Sequence, residues 1–181
     1  MRRLVVILAL AATVTGGCSS SGPGESASTK DFAKLKGAPA ALAGLYRQPS
    51  AILAGGRSAF DERIAELRAH PVVVNAWASW CGPCRFEFPF FQKQAVKRGK
   101  QVAFLGVNSQ DNKGDAEDFL GKYPLPFPSY EDGNGDVARR LRIVGLPATA
   151  YYDRKGELAY LHQGAYASER KLAEDIERYA R

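Results

Sequence analysis

The chain has 181 residues, 45% of them hydrophobic, and a formal net charge of +6. That length suits one folded core with appendages, and the composition is apolar enough to build it. No run of Lys and Arg interleaves with aromatic residues, which argues against nucleic-acid binding and leaves the charge to serve solubility.

Arg2 and Arg3 precede an apolar stretch from Leu4 to Val14, the n-region and h-region of a signal segment spanning residues 1–17. The stretch is too short for a hydrocarbon core, which takes about twenty helical residues. Val14-Thr15-Gly16-Gly17-Cys18 then resembles a bacterial lipobox with Cys18 as the lipidated residue, although Thr15 stands where Leu is usual. An ordinary cleaved signal peptide is the alternative, and the product would then be secreted. Either route carries the protein out of the cytoplasm. Residues 18–30, rich in Ser and Gly, form a flexible tether that would hold a folded domain at the outer face of the membrane. Several acyl chains anchor better than one, since each buried methylene contributes about 0.8 kcal/mol.

Residues 31–50 read as an N-terminal helical extension, with a short helix near Ala40–Tyr46, and residues 51–181 as the main domain. After Gly55-Gly56, Ser58 is expected to cap a helix over 59–69, in which Phe60, Ile64 and Leu67 share a face and which His70-Pro71 ends. VVVNAW, Val72–Trp77, is an apolar run of the kind a fully buried strand needs. A helix then runs to about Arg98, interrupted at Pro89 and ended by Gly99. A second buried strand over 101–108 leads to a helix over 115–123 that Pro124 terminates. The Pro-rich YPLPFPSY precedes another short helix, Asp136–Leu141. Strands over 148–153 and 157–162, joined at Arg154-Lys155-Gly156, form a hairpin, and Ser168 caps a last helix with Leu172, Ile176 and Tyr179 on one face. Strands alternating with helices, then a hairpin and a helix, predict an α/β fold. Its mixed sheet is parallel in the main, with an antiparallel hairpin at one side and helices on both faces.

SWCGPCRFEFP places Cys81 and Cys84 with two residues between them, and the only other cysteine is Cys18. Three readings compete. A staple across so short a loop would add only about 2 kcal/mol, against nearly 5 for a hundred-residue loop. A zinc or copper site needs further ligands, and the only histidines are His70, at a helix end, and His162, whose place in an alternating strand predicts an exposed side chain. A redox dithiol fits best. Cys81 falls at a helix start, where free N–H groups and the macrodipole favour the thiolate that attacks disulfides. Cys84 lies one turn on, placed to release a mixed disulfide. Pro83 suits the first helical turn, Gly82 leaves the approach to Cys81 open, and Trp80 offers either an aromatic docking surface or core packing. Glu87 sits three residues after Cys84, so its carboxylate can share that face and take the thiol's proton; the plainer reading is a solvated helix residue.

WCGPC after VVVNAWAS, with Pro89 in the helix and Val144-Gly145-Leu146-Pro147 before a late strand, resembles the thioredoxin superfamily over roughly residues 51–181. The resemblance implies a cis Leu146–Pro147 bond facing the cysteines, with the backbone of Leu146 pairing with the substrate chain. Asn75, where cytoplasmic thioredoxins carry Asp, and Glu87 within WCxPCxxEFP are similar to the TlpA/ResA/CcmG group of membrane-tethered proteins. The stretch over 106–139 looks like that group's extra helix and strand. Two departures stand: the segment before Phe60 lacks the group's strand-rich start, and Ala148 follows the proline where Thr is common. What the resemblance implies is an extracytoplasmic thiol–disulfide oxidoreductase, monomeric, with no cofactor beyond the Cys81–Cys84 disulfide. It would reduce partner proteins in cytochrome c maturation or copper-centre assembly and be recharged by a membrane electron-donor protein. A copper chaperone or a disulfide-forming oxidase of the same fold is the alternative; a thiol peroxidase would want a Pro/Thr-flanked cysteine that this motif does not supply.

Overall fold

The computed structural model describes residues 28–181; the signal segment, Cys18 and all but the end of the tether lie outside the described residues. The chain begins there with a 3-10 helix, Thr29–Leu35, capped by Ser28. It continues through α1 (Ala40–Tyr46), β1 (Ile52–Leu53), α2 (Gly56–Glu66), β2 (Val72–Trp77), α3 (Gly82–Arg98) and β3 (Ala103–Ser109). Then come α4 (Lys113–Lys122), β4 (Ser129–Asp132), α5 (Asp136–Leu141), the hairpin β5 (Ala148–Tyr152) and β6 (Leu158–Gln163), and α6 (Glu169–Tyr179).

The six strands form one sheet in the order β1-β4-β3-β2-β5-β6. β1, β4, β3 and β2 are parallel, whereas β5 and β6 run antiparallel. This is the expected mixed sheet. Its centre is β2, buried at every position, with Val73 and Trp77 facing one layer and Val72, Val74 and Ala76 the other. The first layer packs α3, α4 and α6 through Phe88, Phe91, Phe119, Leu172 and Ile176. The second packs α1, α2 and α5 through Leu45, Phe60, Ile64, Val137 and Leu141.

Three local expectations need correction. Ser58 lies inside α2, which starts earlier because Gly55 takes φ 100 as its N-cap. A side chain at Gly55 would also meet the Ala59 Cβ at 2.7 Å. The same helix stops at Glu66, with Leu67 as C-cap, short of His70-Pro71. α4 begins two residues before the expected 115, because the Asn112 side chain accepts from the amides of Gly114 and Asp115.

Two strands escaped the chain-order reading. β1 has two residues, so the stretch before Phe60 does contain a strand, though a minimal one. β4 follows directly on Pro128 and has four residues, too few to show a period of two; it matches the extra strand that the resemblance implied within 106–139. The N-terminal extension packs on the far end of α3, where a side chain at Gly99 would meet Leu35 Cδ2 at 2.6 Å and the Tyr46 hydroxyl at 2.7 Å.

Candidate active site

β2 ends at Trp77 and α3 begins at Gly82, so the cysteines occupy the crevice at the carboxyl ends of the parallel strands, where open α/β sheets place their sites. Cys81 is the N-cap of α3, and its sulfur accepts from the Cys84 amide at 3.2 Å. The two form a disulfide with Cα atoms 5.3 Å apart. Cys84 is wholly buried, whereas Cys81 retains 3% exposure and is the outer sulfur. Pro83 occupies the first helical turn, as its missing N–H and fixed φ allow. Nothing lies within 4 Å of where a Gly82 side chain would project, so this glycine leaves the approach to Cys81 clear.

The turn before Cys81 is held by a residue the sequence reading did not single out. Asp111, in the loop between β3 and α4, accepts from the Ser79 amide at 2.6 Å, the Ser79 hydroxyl at 2.7 Å and the Asn108 side chain at 2.7 Å. The neighbouring Gln110 carbonyl accepts from the Trp80 indole N–H at 3.1 Å. Its signal was positional: an acidic residue just past the carboxyl end of a buried parallel strand faces the same crevice as the cysteines.

Glu87 is not a solvated helix residue. It lies one turn beyond Cys84 in α3 with no exposed surface. Its Oε1 accepts from the Asn75 side-chain amide at 2.7 Å and its Oε2 from the Tyr166 backbone amide at 3.0 Å. Burial pushes the Glu87 carboxyl from its ordinary 4.5 up to about 7, against the opposing pull of those two donors. A carboxyl poised there can take up and release a proton near neutrality.

On the opposite side of the crevice the Leu146–Pro147 peptide is cis. The Pro147 carbonyl accepts from the Gly164 amide at 2.9 Å, which ties this loop to the end of β6. Leu146 is partly buried, but Val144 is 89% exposed and Trp80 63% exposed, so Trp80 presents its ring to solvent instead of packing in the core. His162 departs from expectation in the other direction: its side chain is only 25% exposed and stacks on the Tyr166 ring with centroids 4.0 Å apart. Among the described residues, no three His, Cys, Asp or Glu side chains come close enough to share a metal ion.

A family model described as Redoxin matches residues 58–176. The chain is 31% identical over 109 residues to the thiol-disulfide oxidoreductase ResA of Oceanobacillus iheyensis, covering 60% of this chain and 57% of that protein. It is 36% identical over 93 residues to the thiol:disulfide interchange protein DsbE of Pseudomonas fluorescens biotype C, covering 51% of each. The chain thus spans between half and two thirds of the length of such curated relatives. Among solved structures, a putative thiol:disulfide interchange protein DsbE from Chlorobium tepidum superposes with a TM-score of 0.59 at 30% identity, covering 64% of this chain and 83% of that one. A secreted disulfide oxidoreductase of Mycobacterium tuberculosis gives 0.58 at 26% identity, covering 63% and 85%. The Redoxin match runs from the first turn of α2 into α6 and takes in the cysteine pair, Glu87 and the cis proline, so the chain belongs to the Redoxin family, as a ResA/CcmG-like member of the thioredoxin superfamily.

Proposed function

We propose that the protein is a thiol–disulfide oxidoreductase that reduces disulfides of specific partner proteins outside the cytoplasm. The observation that carries this reading is the Cys81–Cys84 pair at the mouth of α3 with the buried carboxyl of Glu87 one turn below it. In the reduced protein the Cys81 thiolate attacks one sulfur of the partner's disulfide, and the other sulfur leaves as a thiolate that takes a proton from solvent. Cys84 then gives its thiol proton to Glu87, and the resulting thiolate attacks the Cys81 sulfur. The Cys81–Cys84 disulfide forms, the partner's second sulfur leaves, and two electrons have passed to the partner. A membrane electron-donor protein would reverse the cycle.

Trp80, Gly82 and Pro83 on one side, and Leu146 with Pro147 on the other, border the sulfur and would seat the partner chain, the backbone at Leu146 adding it as a strand. The direction of transfer rests on Glu87. Ionised beside two thiols, it disfavours their thiolates relative to the disulfide, which lowers the potential. The relatives are named for disulfide exchange, and one similar structure is of a secreted protein. Lipidation at Cys18 would tether the domain, as a monomer, at the outer face of the membrane. No helix among the described residues is long and apolar enough to cross it.

The test is a Cys84→Ser variant, which should accumulate mixed disulfides through Cys81; equal trapping in the Cys81→Ser, Cys84→Ser double variant would remove the assignment. A glutathione redox titration decides direction. A potential near that of strong oxidases, about −120 mV, would replace the reductase reading with the oxidase one.

A further inference from the structure

Three buried polar atoms on neighbouring strands have no hydrogen-bond partner among the described residues: Asn75 Oδ1, Thr149 Oγ1 and His162 Nε2. Their residues form one row across the sheet. Asn75 on β2 is the register partner of Thr149 on β5, and Thr149 is the register partner of His162 on β6. Directly opposed residues of antiparallel strands project from the same face with Cβ atoms about 5 Å apart. That face is the one α3 and α6 cover, as shown by Val73 opposite Tyr151 and by Tyr151 opposite Tyr160, whose rings stack with centroids 6.0 Å apart. Asn75 already donates to Glu87, so the row begins at the carboxyl that sits below the cysteines.

The other end of the row reaches solvent. His162 is 25% exposed, and its Nδ1 lies 4.0 Å from Oδ2 of Asp175 on α6, itself 20% exposed. Asp175 accepts from the Tyr166 hydroxyl at 2.8 Å, and that hydroxyl meets Tyr151 at 2.6 Å. Tyr166 in turn donates its backbone amide to Glu87. The groups that face Glu87 and this row are therefore the cysteine pair on α3, Asn75 on β2, Tyr151 and Thr149 on β5, His162 on β6, Tyr166 in the following loop and Asp175 on α6.

Buried polar atoms that find no protein partner are met by enclosed water where the site is polar on several sides. We infer that Thr149 and His162, bridged by an enclosed water, form the path by which the proton taken up at Glu87 leaves for solvent. The hydroxyl of Thr149 and the imidazole of His162 can each accept a proton on one side and give one on the other, whereas the Asn75 amide only fixes the carboxyl. The proton received from Cys84 passes from Glu87 through the bridging water to His162 Nε2. The imidazole releases the proton on its Nδ1 beside Asp175 to solvent, which restores the Glu87 carboxylate.

This inference rests on the proposed role of Glu87, and the experiment separates the two. Resolution of a preformed Cys81 mixed disulfide is followed by stopped flow near pH 7 in the parent, Thr149→Val, Thr149→Ser and His162→Phe, each alone and with Glu87→Gln. The expected result is about a tenfold loss for Thr149→Val and His162→Phe, a small part of what general acid–base assistance supplies. Thr149→Ser, which keeps the hydroxyl, should resolve as the parent does. In the Glu87→Gln background the same substitutions should change the rate less than about twofold, because the path then has nothing to drain. Equal losses in both backgrounds, a Ser variant as slow as Val, or no loss in the parent background overturns the path and leaves Glu87 its role. A Glu87→Gln protein that resolves at the parent rate overturns both.

Discussion

Replacing Glu87 with Gln tests whether burial or the two donors governs its carboxyl. The native carboxyl titrates at about 7 against an ordinary 4.5, so between those values the folded protein binds a proton that the unfolded chain has already released. Stability is therefore fully present below about pH 4.5 and is lost as pH rises through 7. At about 1.36 kcal/mol per pKa unit the loss comes to about 3 kcal/mol. Gln stands in for the protonated acid, offering one acceptor and one donor to the same two neighbours. Its carbonyl can accept from the Tyr166 amide, and its NH2 can donate to the Asn75 Oδ1, which is free to receive it once that amide turns over. The assay is urea unfolding of the oxidised protein, parent and variant, from pH 4.5 to 8.5. The expected difference is near zero at the acid end and about 3 kcal/mol in favour of Gln at pH 8, or roughly 6–12 °C in Tm for a domain of this size. Parallel pH profiles would refute the reasoning, because they would mean that the donors offset the burial completely.

Asp111→Ala releases the Ser79 amide and hydroxyl together, so alkylation of Cys81 in the reduced protein should change rate and the oxidised protein should lose about 1–3 kcal/mol by denaturant unfolding. Gly106→Ala should cost about 1–3 kcal/mol by the same measurement, since a Cβ there meets Ser129 Cβ at 2.8 Å and Trp77 Nε1 at 3.0 Å in the centre of the sheet. Trp80→Ala should leave stability within about 0.5 kcal/mol, the ring being 63% exposed, while kcat/KM for a protein disulfide falls severalfold in a coupled turnover assay.

The apolar run of Val72–Trp77, the hairpin and the capped last helix were legible because each element is long or strongly patterned. β1 and β4 were not, since two and four residues carry no period; β4 pairs because β3 offers it an edge, and β1 because β4 then offers the next. The start of α2 was misplaced because a positive φ at Gly55, which the chain sets in three dimensions, outweighed the capping preference of Ser58. His162 read as exposed from alternation along its strand, yet the strand folds it against Tyr166, from a loop four residues on.

By itself the sequence determined the reactive pair: two cysteines, Gly82 and Pro83 at a helix start are local chemistry, carried by adjacent residues whatever surrounds them. Only the tertiary structure decided what surrounds them. Glu87 is polar in any window of the sequence. It becomes a buried carboxyl because β2 brings Asn75 beneath it and the segment before α6 brings Tyr166 across it, and desolvation is set by neighbours that are distant in the chain.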